Sequence, residues 1–210
     1  MMVWKCPPLH LPNWSNHWKW KQEMNTDLHS YVKVYKNAFS DALCDKTVEH
    51  LQDVKWTEEN FYFAGDDSYK PPAKSLDISW DSLPNDSEII EVIKKSLNTY
   101  ITKDMNLPWF GSWNGFTAAK YNRYSQTHGM DLHCDHIHSM FDGQRKGVPI
   151  LTILARLNTG FEGGEFIMFD DEVIPFDKGD VLIFPSNFLF PHKVNAVTEG
   201  VRYSAVFWAW

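Results

Sequence analysis

His133 and Asp135 stand on either side of Cys134. A strand sends alternate side chains to one face, so on a strand, or at its end, this imidazole and this carboxylate point the same way. A second neutral imidazole would complete a set of two histidines and one carboxylate. That set suits non-haem Fe(II) and leaves coordination positions open for other molecules. The third donor must come from elsewhere in the chain. His192 is the best candidate, because it follows Val181-Leu182-Ile183-Phe184-Pro185-Ser186, a run that reads as a buried strand. His136 and His138 compete, being a same-face pair themselves, although on a strand His136 would face away from Asp135. Cys134 would also face away from the metal, as a packing residue.

Arg202 lies ten residues past His192, on the strand-like run Val201 to Trp210. Between them, Asn195-Ala196-Val197-Thr198-Glu199-Gly200 ends in turn chemistry. A hairpin centred near Val197 predicts that His192 and Arg202 sit opposite each other on one face. A guanidinium would then lie beside the metal, aimed at a carboxylate that it can grip in two places.

These residues need elements to hold them. From Phe116 onward the sequence reads as short strands, about 116–124, 130–136, 150–157, 164–169, 180–185, 189–194 and 201–209, punctuated by Gly, Pro and Asp. That pattern predicts a double-sheet jelly roll. Upstream, Tyr31 to Tyr35 alternates as a short strand. Cys44, Val48 and Leu51 keep helical spacing in a helix from about Asp41 to Gln52, with Ser40 as its N-cap. Ile89, Ile93 and Leu97 do the same in a helix from about Ser87 to Thr102, capped by Asp86 or Ser87. Both helices are expected to buttress one sheet. The expected class is therefore mainly β with flanking helices (α+β), a double-stranded β-helix of the cupin-like kind. Asp66-Asp67 and Pro71-Pro72 mark loops.

With these elements in place, the chain resembles the Fe(II)/2-oxoglutarate-dependent dioxygenases, and among them the prolyl 4-hydroxylase group. The likeness runs from about Tyr31 to Trp210. It rests on His133-x-Asp135, Asn158 followed by Phe161-Glu162-Gly163-Gly164-Glu165-Phe166, Lys178-Gly179-Asp180, His192, and Gly200-Val201-Arg202-Tyr203, all in order. The resemblance implies that His133, Asp135 and His192 hold Fe(II), and its His-x-Asp order favours His133 over His136. It implies that Arg202 pairs with the distal carboxylate of 2-oxoglutarate, with Thr198 or Ser204 assisting. Asn122 and Tyr124 would donate to the co-substrate, Tyr121 being the alternative donor. Arg156 stands where the family commonly has a tyrosine before the Leu-Asn pair, as a second carboxylate clamp, a substrate contact or a structural ion pair. Gly163-Gly164 would shape the site, and Asp180 would be structural. O₂ is the implied oxidant and ascorbate an accompanying reductant. The implied reaction decarboxylates 2-oxoglutarate to succinate and CO₂ and hydroxylates an unactivated C–H. Asp135 argues against a halogenase, in which a halide takes the carboxylate's position.

Composition bounds the alternatives. A chain of 210 residues is most simply one domain with a sizeable core. The division expected is residues 1–30 as an aromatic-rich extension and 31–210 as the dioxygenase domain. The extension carries Trp4, Trp14, Trp18 and Trp20 among Pro7, Pro8 and Pro12, and reads either as outer packing or as a partner surface. His10, His17 and His29 read as surface residues. The net charge of −7 does not advertise nucleic-acid or anionic-membrane binding. Three scattered cysteines make no disulfide framework, and no run has transmembrane length or the form of a signal core. The cytoplasm is the expected compartment. A peptide or protein carrying a prolyl residue is the leading substrate class, ahead of a free amino acid or other small metabolite. An oxidative nucleic-acid demethylase and a non-enzymatic binding module stand lower.

Overall fold

The computed structural model describes residues 26–63, 68–70, 75–107, 115–135 and 149–210. Most of the expected extension, both loop signals at Asp66-Asp67 and Pro71-Pro72, and the competing pair His136 and His138 lie outside the described residues.

In chain order, a 3₁₀ turn (Leu28–Tyr31) leads into β1 (Lys33–Tyr35), α1 (Asp41–His50), β2 (Thr57–Glu58), β3 (Phe61–Phe63), β4 (Ser68–Lys70), β5 (Asp77–Ser79) and α2 (Asp86–Thr99). A π turn (Tyr100–Met105) follows, then β6 (Lys120–Tyr124), β7 (Met130–His133), β8 (Leu151–Arg156), β9 (Glu162–Gly163), β10 (Phe166–Met168) and β11 (Glu172–Val173). The chain ends with β12 (Val181–Pro185), β13 (His192–Val194), β14 (Val197–Glu199) and β15 (Arg202–Ala209). A seven-stranded sheet has the order β1-β12-β8-β15-β6-β5-β2, and a four-stranded sheet the order β11-β10-β13-β7. Together they form the expected double-stranded β-helix with helices against one side.

Alternation along the long strands builds two cores, one on each face of the larger sheet. Leu151, Ile153 and Ala155 of β8, with Tyr203, Ala205 and Phe207 of β15, turn outward and bury against the helices. They meet Ile89, Ile93 and Leu97 of α2 and Leu43 and Cys44 of α1. Burying an Ile or Leu completely, as at Ile93 and Leu97, contributes about 1.5–3 kcal/mol each. The other face turns inward. Leu154, Leu182, Phe184, Val206 and Trp208 pack there against Phe166, Met168 and Val194 of the smaller sheet. The helices thus stiffen the back of the sheet whose front carries the polar residues of interest.

The helix signals hold, with one correction. Ser40 caps α1 by accepting from the Leu43 N–H at 3.2 Å. α2 is capped by Asn85, which makes no side-chain capping bond; neither Asp86 nor Ser87 takes that role. Asn85 instead donates its amide to Thr47 Oγ1 at 2.7 Å, tying the two helices together. Asp86 accepts from the Leu83 N–H and from the Tyr121 hydroxyl, both near 3 Å. Tertiary partners have taken the side chains that local capping would have used. Asp180 is structural as expected: its buried carboxylate accepts from Lys36 and from the backbone N–H groups of Asn37 and Asp177, joining β1 to the turn before β12.

The hairpin expected between His192 and Arg202 is not there. β13 pairs with β7 and β10 in the smaller sheet, whereas β15 pairs with β6 and β8 in the larger one. Between them, β14 pairs with β9. The chain crosses from one sheet to the other, so the two residues belong to opposing layers rather than to paired positions. Thr198, on β14, is exposed, whereas Arg202 is buried.

Candidate active site

The smaller sheet supplies two imidazoles. His133 ends β7 and His192 opens β13, directly opposite it in register. Their rings lie 4.4 Å apart between centroids. Asp135 follows in a bend, with Oδ1 3.5 Å from His133 Nε2 and 3.8 Å from His192 Nε2. One ligand atom from each of the three residues falls within 4.8 Å of the others. The tautomers favour metal binding. Each Nδ1 faces a backbone carbonyl, Asp131 O at 2.7 Å for His133 and Phe190 O at 3.2 Å for His192. A carbonyl only accepts, so Nδ1 carries the proton and Nε2 offers its lone pair toward the shared point.

Electrostatics keep the donors in the forms a metal needs. Burial alone would raise the Asp135 pKa, but His192, His133 and the Thr152 hydroxyl outweigh it and hold the carboxyl well below its usual range. Burial, helped by the neighbouring His133 and opposed by Asp135, lowers His192 to about 4. At neutral pH the set is therefore one anion and a neutral His192. His192 is stacked on Phe166 and edge-on to Phe184, which orient the ring and keep water from it. The donor chemistry, two imidazole nitrogens and one carboxylate oxygen, fits Fe(II).

The larger sheet supplies the second half. Pairing sets Arg202 beside Tyr124, and Ser204 beside both Asn122 and Arg156, all on the inward face. Arg202 is buried, with its guanidinium 4.9 Å from the Tyr124 ring centroid and 3.4 Å from Ser204 Oγ. Burial lowers its proton affinity and Tyr124 partly offsets this. Among the described residues no carboxylate pairs with it. Asn122 donates to the Tyr124 hydroxyl at 3.2 Å, while its own buried Oδ1 has no partner among the described residues. Gly164 makes room for Arg202. A Cβ there would come within 3.0 Å of Arg202 Cδ and 3.1 Å of Val197 Cγ2, and its φ of +66° is one that side chains rarely adopt.

Two expected residues sit differently. Tyr121 is on the opposite face of β6, buried toward the helices and bonded to Asp86, so it does not share the Tyr124 pocket. Arg156 does face inward. Its guanidinium lies over Phe161 at 4.6 Å, donates to Phe176 O at 3.0 Å and Asn158 O at 3.3 Å, and approaches Asp177 at 3.8 Å. Its charge reaches Arg202 and lowers that residue's proton affinity further. Asn158 bridges to β15, donating to Val201 O and accepting from the Tyr203 N–H.

Thr152 carried no role in the sequence reading. Its hydroxyl donates to Asp135 Oδ2 at 2.7 Å and lies 2.9 Å from Ser186 Oγ. The signal available was a lone hydroxyl in the apolar run Leu151 to Ala155, four positions before Arg156 and hence on the same face.

The double-stranded β-helix thus brings two imidazoles and a carboxylate to one place, with a buried arginine on the facing sheet. Residues 119–210 match the model of the 2OG-Fe(II) oxygenase superfamily. A PKHD-type hydroxylase of Idiomarina loihiensis is 34% identical over 90 residues, covering 41% of this chain and 39% of the relative. PiuC, a PKHD-type hydroxylase of Pseudomonas aeruginosa, is 30% identical over 94 residues, covering 42% of this chain and 41% of its own. The chain thus spans about two fifths of the length of these curated relatives. The fold is similar to a prolyl-4-hydroxylase of Pseudomonas putida (TM-score 0.59, 16% identity, covering 85% of this chain and 91% of the other). It is also similar to a prolyl hydroxylase of Trichoplax adhaerens solved with a hypoxia inducible factor peptide fragment (TM-score 0.61, 18% identity, 86% and 84%).

Proposed function

We propose that this chain is an Fe(II)- and 2-oxoglutarate-dependent dioxygenase that hydroxylates a prolyl residue in a peptide or protein. The carrying observation is Arg202: a wholly buried guanidinium, without an acid among the described residues, facing the sheet that holds His133 and His192. A buried, unpaired cation is costly, and an anionic ligand in that position relieves the cost.

In this reading His133, Asp135 and His192 hold Fe(II). Arg202 grips the distal carboxylate of 2-oxoglutarate through its two-pronged guanidinium, and Ser204 steadies the fork. Tyr124 and Asn122 donate to the same molecule. The buried Phe166 and Phe184 keep bulk water from the donor atoms. With Fe(II), 2-oxoglutarate and O₂ bound, the centre supplies oxidative decarboxylation coupled to hydroxylation of an unactivated C–H. The protein's part is to orient the reactants. Ascorbate would serve as reductant.

Likeness to prolyl hydroxylases, one of them solved with a peptide, favours a prolyl residue over a free amino acid. The net charge of −7 does not favour a nucleic-acid substrate. No described helix is long and apolar enough to cross a membrane. The free thiols of Cys44 and Cys134 suit a reducing compartment, and we place the protein in the cytoplasm.

The test is succinate release with Fe(II), 2-oxoglutarate and ascorbate, with proline-containing peptides, free amino acids or neither. Peptide-stimulated turnover, abolished in His192→Ala, is expected. Stimulation by free amino acids alone would move the substrate to the metabolite class. Full turnover in His192→Ala would remove the metal reading.

A further inference from the structure

Asp135 has two carboxylate oxygens in different surroundings. Oδ1 faces both Nε2 atoms, at 3.5 and 3.8 Å. Oδ2 accepts the Thr152 hydroxyl at 2.7 Å. Thr152 Oγ1 is in turn 2.9 Å from Ser186 Oγ. The direction of this chain follows from proton counting. A carboxylate anion only accepts, and a threonine has one hydroxyl proton. Thr152 therefore gives its proton to Asp135, and Ser186 donates to Thr152. Both hydroxyls are buried within apolar surroundings, where an unbonded hydroxyl is costly. Their carriers are rigid. Thr152 lies within β8, paired on one side with Phe184 and on the other with Trp208. Ser186 follows β12 directly, and its N–H is held by Ile150 O at 3.0 Å.

We propose that Thr152, relayed by Ser186, is a positioning residue that makes Asp135 a one-oxygen ligand. With Oδ2 held by a short bond to an anion, the stronger kind of hydrogen bond, the carboxylate cannot swing its second oxygen into the triad. A carboxylate free to chelate through both oxygens would take a position that the co-substrate or O₂ needs. The larger sheet then does more than carry Arg202: it reaches across the sandwich and sets the geometry of a ligand that follows β7 of the smaller sheet.

This inference rests on the metal reading of the triad, and the test separates the two. Co(II) is titrated into metal-free protein, and both its Kd and the visible absorption of the bound ion are recorded. Thr152→Val, which keeps the shape and removes the hydroxyl, is expected to bind Co(II) about 10–100-fold more weakly, as losses of outer-shell partners do. Its absorption is expected to change, reporting an altered coordination number. Thr152→Ser, which restores the hydroxyl, is expected to recover the wild-type spectrum and a Kd within about threefold. A merely structural threonine would alter melting without altering the Co(II) spectrum. Wild-type Kd and spectrum in Thr152→Val overturn the inference while leaving the triad standing. Should Thr152→Val fail to fold, Ser186→Ala decides: an altered spectrum and weaker Co(II) binding support the relay, and unchanged values overturn it. Absence of Co(II) binding by the wild type overturns both readings.

Discussion

Arg202 and His192 carry opposite demands at the scale of single residues. Arg202 keeps a charge in a buried place, and under the proposed function removing it takes away the grip on the anion. Arg202→Ala is expected to cost about 2 kcal/mol or more of co-substrate binding, roughly a 30-fold rise in the 2-oxoglutarate requirement. Arg202→Lys keeps charge but not the fork and is expected to fall between. Succinate assays across 2-oxoglutarate concentrations measure this, and an unchanged requirement rules Arg202 out. His192 avoids charge. Burial and His133 lower its pKa to about 4 against 6.5 for a free imidazole. The unfolded chain therefore binds more protons between those values. Its contribution to the stability of the metal-free protein is complete above pH 6.5 and is lost as pH falls toward 4. Urea midpoints at pH 7 and pH 5 check the sign: wild type is expected to lose more than His192→Gln, and equal losses contradict it.

Strands decide which of these residues meet. Gly164 follows β9 and sits under the Arg202 side chain with a positive φ. Gly164→Ala is expected to destabilise by about 1–3 kcal/mol through backbone strain. It is also expected to raise the 2-oxoglutarate requirement by displacing Arg202, while leaving metal binding unchanged. A variant with wild-type values for both would show that the close approach is relaxed easily. The same scale shows what the sequence made legible. Alternation put Arg202 and Ser204 on one face of their strand and Asn122 and Tyr124 on one face of theirs, because period-2 patterning is local; the pairing of β15 with β6 is what joins the two faces. Alternation put Tyr121 on the other face, and taking Tyr121 as a substitute for Tyr124 overlooked that. The partnering of β13 and β15 was not legible: the two strands are separated by a turn-like segment, and only the crossing between sheets distinguishes them from a hairpin. Asn85 as the α2 cap was hidden similarly, since its amide serves Thr47 in the other helix.

At the scale of the whole molecule, two sheets carry different parts of the candidate site. The smaller sheet supplies His133 and His192; the larger supplies Arg202 and, through Thr152, holds Asp135. The helices harden the larger sheet from behind, which suits a site whose parts sit on different layers. The convergence of His133, Asp135 and His192 was legible because their residue types are chemically restrictive. Thr152 was not, because a hydroxyl in a strand has many uses and its role depends on which sheet lies opposite. The most direct measurement is a crystal grown without oxygen in the presence of Fe(II) and 2-oxoglutarate, with anomalous scattering recorded at the iron edge. One iron peak is expected within bonding reach of His133 Nε2, Asp135 Oδ1 and His192 Nε2, with the far carboxylate of 2-oxoglutarate against the Arg202 guanidinium. Iron bound elsewhere, or 2-oxoglutarate bound away from Arg202, would contradict it.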